Sequence, residues 1–153
     1  MSEIIGNFCS SEEELKKEAN NRKRLFDEVS VQNELVETYI KDGWNVNKEY
    51  KTKTRLRKPK TPDILFEDRL WMIFYNLGFI EINKDRKCKL KFNGYTKQID
   101  VLARDENNVF VVECKSSETE NPINARKALE EFDGKCEKIR NSIYSKWGHG
   151  CGK

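Results

Sequence analysis

Apolar and polar positions change period several times along the chain, and each change predicts an element. Ser11 and Glu14 fit a capping box at the start of a helix. Leu15, Ala19, Phe26, Val29, Val36 and Ile40 then recur at near-heptad spacing until Asp42-Gly43 breaks the pattern, so the front of the chain reads as a helical arm. Arg22 and Asn33 interrupt that stripe, which favours packing against the rest of the molecule or a partner over a coiled coil. Further on, Lys51, Lys53, Arg55 and Arg57 alternate with Thr52, Thr54 and Leu56. An extended segment would place these four cations on one face, about 7 Å apart.

Thr61 as N-cap, Pro62 at the first helical position and Asp63 in the first turn predict a second helix, which Gly78 ends. Leu70, Trp71, Phe74 and Leu77 form its apolar stripe, and Glu67 falls on the same stripe. Either Glu67 joins a polar site, or it favours the helix N-terminus and reaches solvent. Alternating residues from Lys87 to Phe92 then run into Asn93-Gly94, a strong hairpin signal that pairs Phe92 with Tyr95, Cys88 with Ile99 and Lys87 with Asp100. A third strand, Val109 to Lys115, follows the polar cluster Arg104 to Asn108. The meander puts Lys87, Lys89, Lys91, Gln98, Asp100, Glu113 and Lys115 on one face, and Cys88, Leu90, Phe92, Ile99, Val101, Phe110 and Val112 on the other. Asn121-Pro122 opens a last helix to about Trp147, with Ile123, Ala128, Leu129, Phe132, Cys136, Ile139 and Ile143 as its stripe.

Two carboxylates and an ammonium converge in this reading. If Glu106-Asn107 is a two-residue loop, Asp100 lies opposite Glu113; a four-residue loop sets it opposite Lys115. Cross-strand neighbours lie about 5 Å apart, so both registers bring the three together. Hard carboxylate oxygens suit Mg²⁺, which polarises a phosphodiester, while a lysine can position or deprotonate the attacking water. A strand-end salt bridge at the sheet rim is the plainer use of the same residues.

Lys97-Gln98-Ile99-Asp100 and Val112-Glu113-Cys114-Lys115 resemble the restriction-endonuclease-like PD-(D/E)xK nuclease superfamily, in particular its Mrr-type and junction-resolvase-like branch. The segment is also similar to the nuclease-like region that precedes DGQHR-type domains. The resemblance covers roughly Thr61 to Trp147 and implies an α-β-β-β-α core, a three-stranded antiparallel meander flanked by helices. It implies Asp100, Glu113 and the backbone carbonyl of Cys114 as Mg²⁺ ligands, with Mn²⁺ as a substitute, Lys115 as the residue that handles water, and Glu67 as an assisting carboxylate. Ile99 stands where the family name has proline, and the literal Pro62-Asp63 lies far upstream. The fourth core strand expected after the last helix is missing, which suggests a larger parent protein with a further C-terminal domain, or a third strand left as an edge or paired by another molecule. DNA is the implied substrate, and cutting both strands would call for a homodimer.

Residues 1–60 thus read as a helical arm with a basic extended segment, 61–147 as the nuclease-like core and 148–153 as a flexible tail. Lys51, Lys53, Arg55 and Arg57, together with Lys87 and Lys89, are candidates for phosphate contacts; a solvated edge strand would look similar. The net charge of +3 over 153 residues, 36% of them charged, neither requires nor excludes nucleic acid. The one histidine, His149, lies in the tail, which argues against histidine-based catalysis. The five cysteines lack paired spacing and no long apolar segment or secretory signal is present, so a reduced cytoplasm is the expected setting, and the resemblance implies a prokaryotic one. A binding module of the same fold that does not cut is the alternative.

Overall fold

The computed structural model describes residues 2–5, 8–84, 86, 88–92, 94–115 and 125–147. They form a mixed α/β structure of four helices and small antiparallel sheets. Among the described residues no helix is long and apolar enough to cross a membrane.

Strand β1 (Ser2–Ile5) precedes helix α1 (Glu12–Arg22). Ser11 caps α1, its hydroxyl accepting from the Glu14 amide at 3.2 Å, while the Glu14 carboxylate turns back to the Ser10 amide and hydroxyl. The helix stops at Arg22, and the arm expected to continue as helix to Ile40 does not. Phe26–Gln32 is strand β2, followed by a 3₁₀ turn (Asn33–Leu35) and a short helix α2 (Val36–Lys41). Val29 and Val31 alternate with Glu28, Ser30 and Gln32, a period-two pattern with β-branched residues, and it prevails over the looser helical recurrence. Strands β3 (Asn45–Glu49) and β4 (Lys53–Pro59) complete a sheet of order β2-β4-β3. The extended basic segment is therefore the central strand of a sheet, with Thr54 and Leu56 buried beneath it.

Helix α3 (Pro62–Asn76) begins and ends where the sequence places it, with Thr61 at the N-cap and Gly78 in the left-handed region beyond the end. The Thr61 hydroxyl does not cap a backbone amide; it pairs with the Asp63 carboxylate. Trp71 and Asp68 are the buried positions of α3, whereas Leu77, expected in the stripe, is 69% exposed. Strand β5 (Glu81–Ile82) leads to β6 (Lys89–Phe92), β7 (Tyr95–Gln98), β8 (Val101–Arg104) and β9 (Val109–Val112). Phe92 pairs with Tyr95, as the sequence predicts, and the Ile99 amide donates to the Cys88 carbonyl. Helix α4 (Ala125–Trp147) closes the described chain. Its expected start at Asn121-Pro122 lies outside the described residues, and Leu129, expected in its stripe, is exposed.

The single three-stranded meander expected from the sequence is divided at Ile99-Asp100 into two hairpins that belong to different sheets. The first half of its middle strand, β7, pairs with β6; the second, β8, lies between β5 and β9. Two cores lie on opposite sides of this layer. Trp71 of α3 packs with Leu15 and Ala19 of α1 and with Ile82, Val101 and Ala103. Ile139 of α4 packs with Cys88, Leu90, Ile99 and Leu102. Ile99 and Val101 were expected on one face by simple alternation and instead belong to different cores. The strand reverses its faces at Asp100, because the chain bends there and the ladder is interrupted. β1 adds to the outer edge of β6 and β5 to β8, and among the described residues no strand pairs with the outer edge of β9. No disulfide joins Cys9, Cys88, Cys114 and Cys136.

Candidate active site

The bend that separates the two cores also fixes Asp100. Asn83, fully buried just after β5, donates from its side-chain amide to the Asp100 carbonyl at 3.3 Å and accepts the Leu102 amide at 2.8 Å. Its backbone amide donates to the Leu102 carbonyl at 2.9 Å, and its own carbonyl accepts the Trp71 indole at 2.8 Å. The Asn83 side chain thus replaces ladder bonds that the bend breaks, and its backbone carbonyl ties the same turn to α3.

β8 and β9 pair Val101 with Val112 and Arg104 with Val109, and the Asp105 amide donates to the Asn108 carbonyl. Glu106-Asn107 is therefore the two-residue loop, and Asp100 stands opposite Glu113. Asp100 Oδ2 accepts the Cys114 amide at 2.6 Å. Burial raises the Asp100 carboxyl above its usual range; the Cys114 amide opposes this and the Glu113 charge adds to it.

Glu113 is 12% exposed, and its Oε1 lies 2.7 Å from Lys97 Nζ and 3.6 Å from Lys115 Nζ. Lys115 is 53% exposed. On the α4 side, Lys135 approaches Lys97, which lowers its pKa through their direct contact. On the α3 side, Glu67 is half-buried, and its carboxyl is pushed up to about 7 by burial and then by the charge of Asp100. The Cys114 thiol is raised to about 12 by burial and by Asp100, Glu67 and Glu113. Glu67, Asp100 and Glu113 therefore share one electrostatic neighbourhood, with Lys97, Lys115 and Lys135 along its other side.

Among the described residues, no group of three or more His, Cys, Asp or Glu side chains is arranged to hold a metal ion. The donors nonetheless suit a hard cation. Asp100 and Glu113 would supply oxygen ligands, and the carboxyls of Glu67 and Asp100, raised by burial and by neighbouring carboxylates, are ones that added positive charge would help to ionise. Lys97 and Lys115 pair directly with Glu113, and their charges also act on Asp100.

The remaining candidates fall in two places. Lys53, Arg55 and Arg57 share the outward face of β4, and Lys51 lies in the turn before it. Arg57 Nε reaches Glu28 at 2.9 Å and Arg55 Nε at 3.5 Å, so one carboxylate orients both guanidinium groups. Lys89 is exposed on β6, Lys87 lies outside the described residues, and the exposed Gln98 donates to the Arg86 carbonyl at 3.2 Å. Sequence reasoning missed Asn83, Arg86, Lys97 and Lys135. Each is a single polar residue whose partner is distant in sequence, so no local spacing marks it.

Comparison with protein-family models, characterised proteins and solved structures finds no match.

Proposed function

We propose that this chain is a metal-dependent DNA endonuclease domain built on a restriction-endonuclease-like core. The observation that carries the reading is the two-residue β8–β9 loop, which sets Asp100 opposite Glu113 with Lys115 two residues on and Glu67 alongside. Asp100, Glu113 and the Cys114 carbonyl would hold Mg²⁺ or Mn²⁺, which when bound supplies Lewis-acid polarisation of the scissile phosphate. Lys115, the more exposed of the two lysines at Glu113, orients the attacking water and offsets charge on the phosphate. Glu67, with its carboxyl near 7, accepts a proton from that water. Attack of the water oxygen in line with the bond breaks the P–O3′ bond, and the departing 3′-oxygen takes a proton from solvent, which leaves a 5′-phosphate and a 3′-hydroxyl. The outward face of β4 holds the DNA backbone, and two copies acting together would cut both strands. Restriction, defence or repair in a prokaryotic cytoplasm is the setting this activity fits.

A second reading has its own support. The 2.7 Å contact between Lys97 and Glu113 gives that carboxylate a partner without any metal, which suits a nucleic-acid-binding module that does not cut. The two part on cleavage of supercoiled, linear and single-stranded DNA with Mg²⁺, Mn²⁺ or EDTA. The nuclease reading expects metal-dependent cutting that falls on the order of 10²–10³-fold in Asp100→Ala and Lys115→Ala proteins of unchanged fold. A well-folded wild type that cuts none of these substrates selects the binding module.

A further inference from the structure

The outward face of the three-stranded sheet β2-β4-β3, proposed above to hold the nucleic-acid backbone, carries more than cations. Directly paired residues share a face of a sheet. Glu28 pairs with Arg57, Ser30 with Arg55 and Gln32 with Lys53 on one side of β4. On the other side Asn45 pairs with Arg57 and Lys48 with Arg55. The register shift between Val46 and Lys48 lets both Asn45 and Lys48 look outward, since an unbroken strand would turn one of them inward. Val31, Thr54 and Leu56 are buried on the reverse. The outward face thus has Lys48, Lys53, Arg55 and Arg57 around a single carboxylate, Glu28.

Two aromatic rings stand at the margins of this face. Tyr50, 36% exposed, has Lys48 Nζ 5.3 Å and Arg55 Cζ 5.7 Å from its ring centre. Arg57 Cζ lies 4.1 Å from the ring centre of Phe26. Cations beside rings on a flat sheet form the combination that stacks unpaired bases while tracking a phosphate chain. The rings decide between single strand and duplex, because a base can stack on a side chain only when it is not stacked inside a helix. Glu28, held by Arg55 and Arg57, adds an acceptor for base amino groups.

We propose that this face binds a short stretch of single-stranded nucleic acid, with bases on Tyr50 and Phe26, the backbone along Lys48, Lys53, Arg55 and Arg57, and Glu28 accepting from a base edge. The sheet accommodates about two or three nucleotides. Phe26 and Glu28 also border a crevice of about 170 Å³ lined by Glu18, Asn21, Arg24, Asp27 and Arg86, whose three carboxylates mark the end of the platform rather than a path for phosphates. Arg86 in turn accepts Gln98 on its carbonyl and reaches Asp27 at 3.4 Å, so the platform's edge and the Asp100 side of the meander meet at one residue. The inference rests on the nucleic-acid half of the proposed function and is independent of cleavage.

The test is fluorescence anisotropy of the full chain in EDTA, so that no cutting intervenes. The probes are a labelled single strand of about twelve nucleotides, its RNA counterpart and the matching duplex. Single strands should bind about 10-fold more tightly than the duplex. Tyr50→Ala should weaken single-strand binding about 10-fold, Tyr50→Phe should leave it unchanged, and Lys53→Ala should reduce its salt slope by about one counterion. Comparable affinity for duplex, or single-strand binding that Tyr50→Ala leaves intact in a protein of wild-type circular dichroism, overturns the platform. Asp100→Ala is run in parallel: loss of cutting with these affinities unchanged separates a failed platform from a failed nuclease.

Discussion

Glu67 and Asp68 are consecutive carboxylates on α3, and the molecule treats them in opposite ways. Asp68 is 2% exposed, and its two oxygens receive Arg22 at 3.0 Å, Lys60 at 2.7 Å and Arg86 at 2.8 Å. Arg22 is further held by Glu18 and lies 4.9 Å from the centre of the Trp71 ring, while Lys60 donates to the Asn21 carbonyl. These contacts tie α1, the end of β4, α3 and the turn after β5 together at one ion cluster. Glu67, one residue earlier, faces Asp100 and has no such arrangement of cations. Burial and the neighbouring carboxylates disfavour its charge, whereas that of Asp68 is already matched. A buried carboxylate surrounded by cations stabilises the fold, and one surrounded by carboxylates is prepared for a proton or a positive ion.

The largest effect expected from this contrast lies at Asp68. Replacing it by Ala leaves the buried side chains of Arg22 and Lys60 without their common partner, and loss of one member of such a group costs about 3–5 kcal/mol. Urea unfolding of Asp68→Ala should show that loss at neutral pH. A change under about 1 kcal/mol would mean that Glu18 and the backbone carbonyls already satisfy both cations. On the Glu67 side the complementary experiment is addition rather than removal. Mg²⁺ at about 100 times its Kd should stabilise the protein by about 2.7 kcal/mol, read as a rise in melting temperature. Asp100→Ala should remove the rise. A rise that persists in this variant would place the ion elsewhere.

Much of this site was legible in the sequence because its parts are local. The Asn93-Gly94 signal gave the pairing of Phe92 with Tyr95, while the sequence left Asp100 opposite either Glu113 or Lys115, and the two-residue Glu106-Asn107 loop decides for Glu113. The bounds of α3 followed from Thr61, Pro62 and Gly78 in the same way. What alternation could not show was the reversal at Asp100. It depends on Asn83, a residue of another strand, and it separates Ile99 from Val101. The front of the chain was misread because Phe26, Val29, Val36 and Ile40 fit a helical period loosely, while the strand pairing of β2 with β4 has no signature in either segment alone. The Asp68 cluster gave no signal either, since its three cations come from positions 22, 60 and 86.

Asn83 yields the next smaller effect and asks whether the bend at Asp100 is imposed by a side chain. Asn83→Leu keeps the volume but leaves the buried Leu102 amide without its acceptor, and the Asp100 carbonyl loses a donor. An unsatisfied buried group costs about 1–3 kcal/mol. The expected signature is that loss together with weaker Mg²⁺ stabilisation, because Asp100 shifts with its backbone. Equal destabilisation with and without Mg²⁺ would instead make Asn83 a residue of the core alone.

The smallest effect is also the most specific to Glu67. Its usual carboxyl value is 4.5, and in the folded protein it is pushed up to about 7, so the folded state binds the proton more tightly than the unfolded chain. Below about 4.5 both states are protonated and the group has no effect on stability relative to a neutral residue. As pH rises the unfolded chain gives up its proton first, and stability declines until the folded carboxyl has also ionised, above about 7. Glu67→Gln removes that decline. The variant should match the wild type at roughly pH 4 and exceed it by on the order of 1 kcal/mol at roughly pH 8, once solvent screening of a half-exposed group is allowed for. Mg²⁺ bound beside Asp100 should shrink the difference, because the cation favours the ionised carboxylate that repulsion disfavoured. A gap between the two proteins that stayed constant from acid to base would assign Glu67 to helix packing and leave the carboxylate pair to act without it.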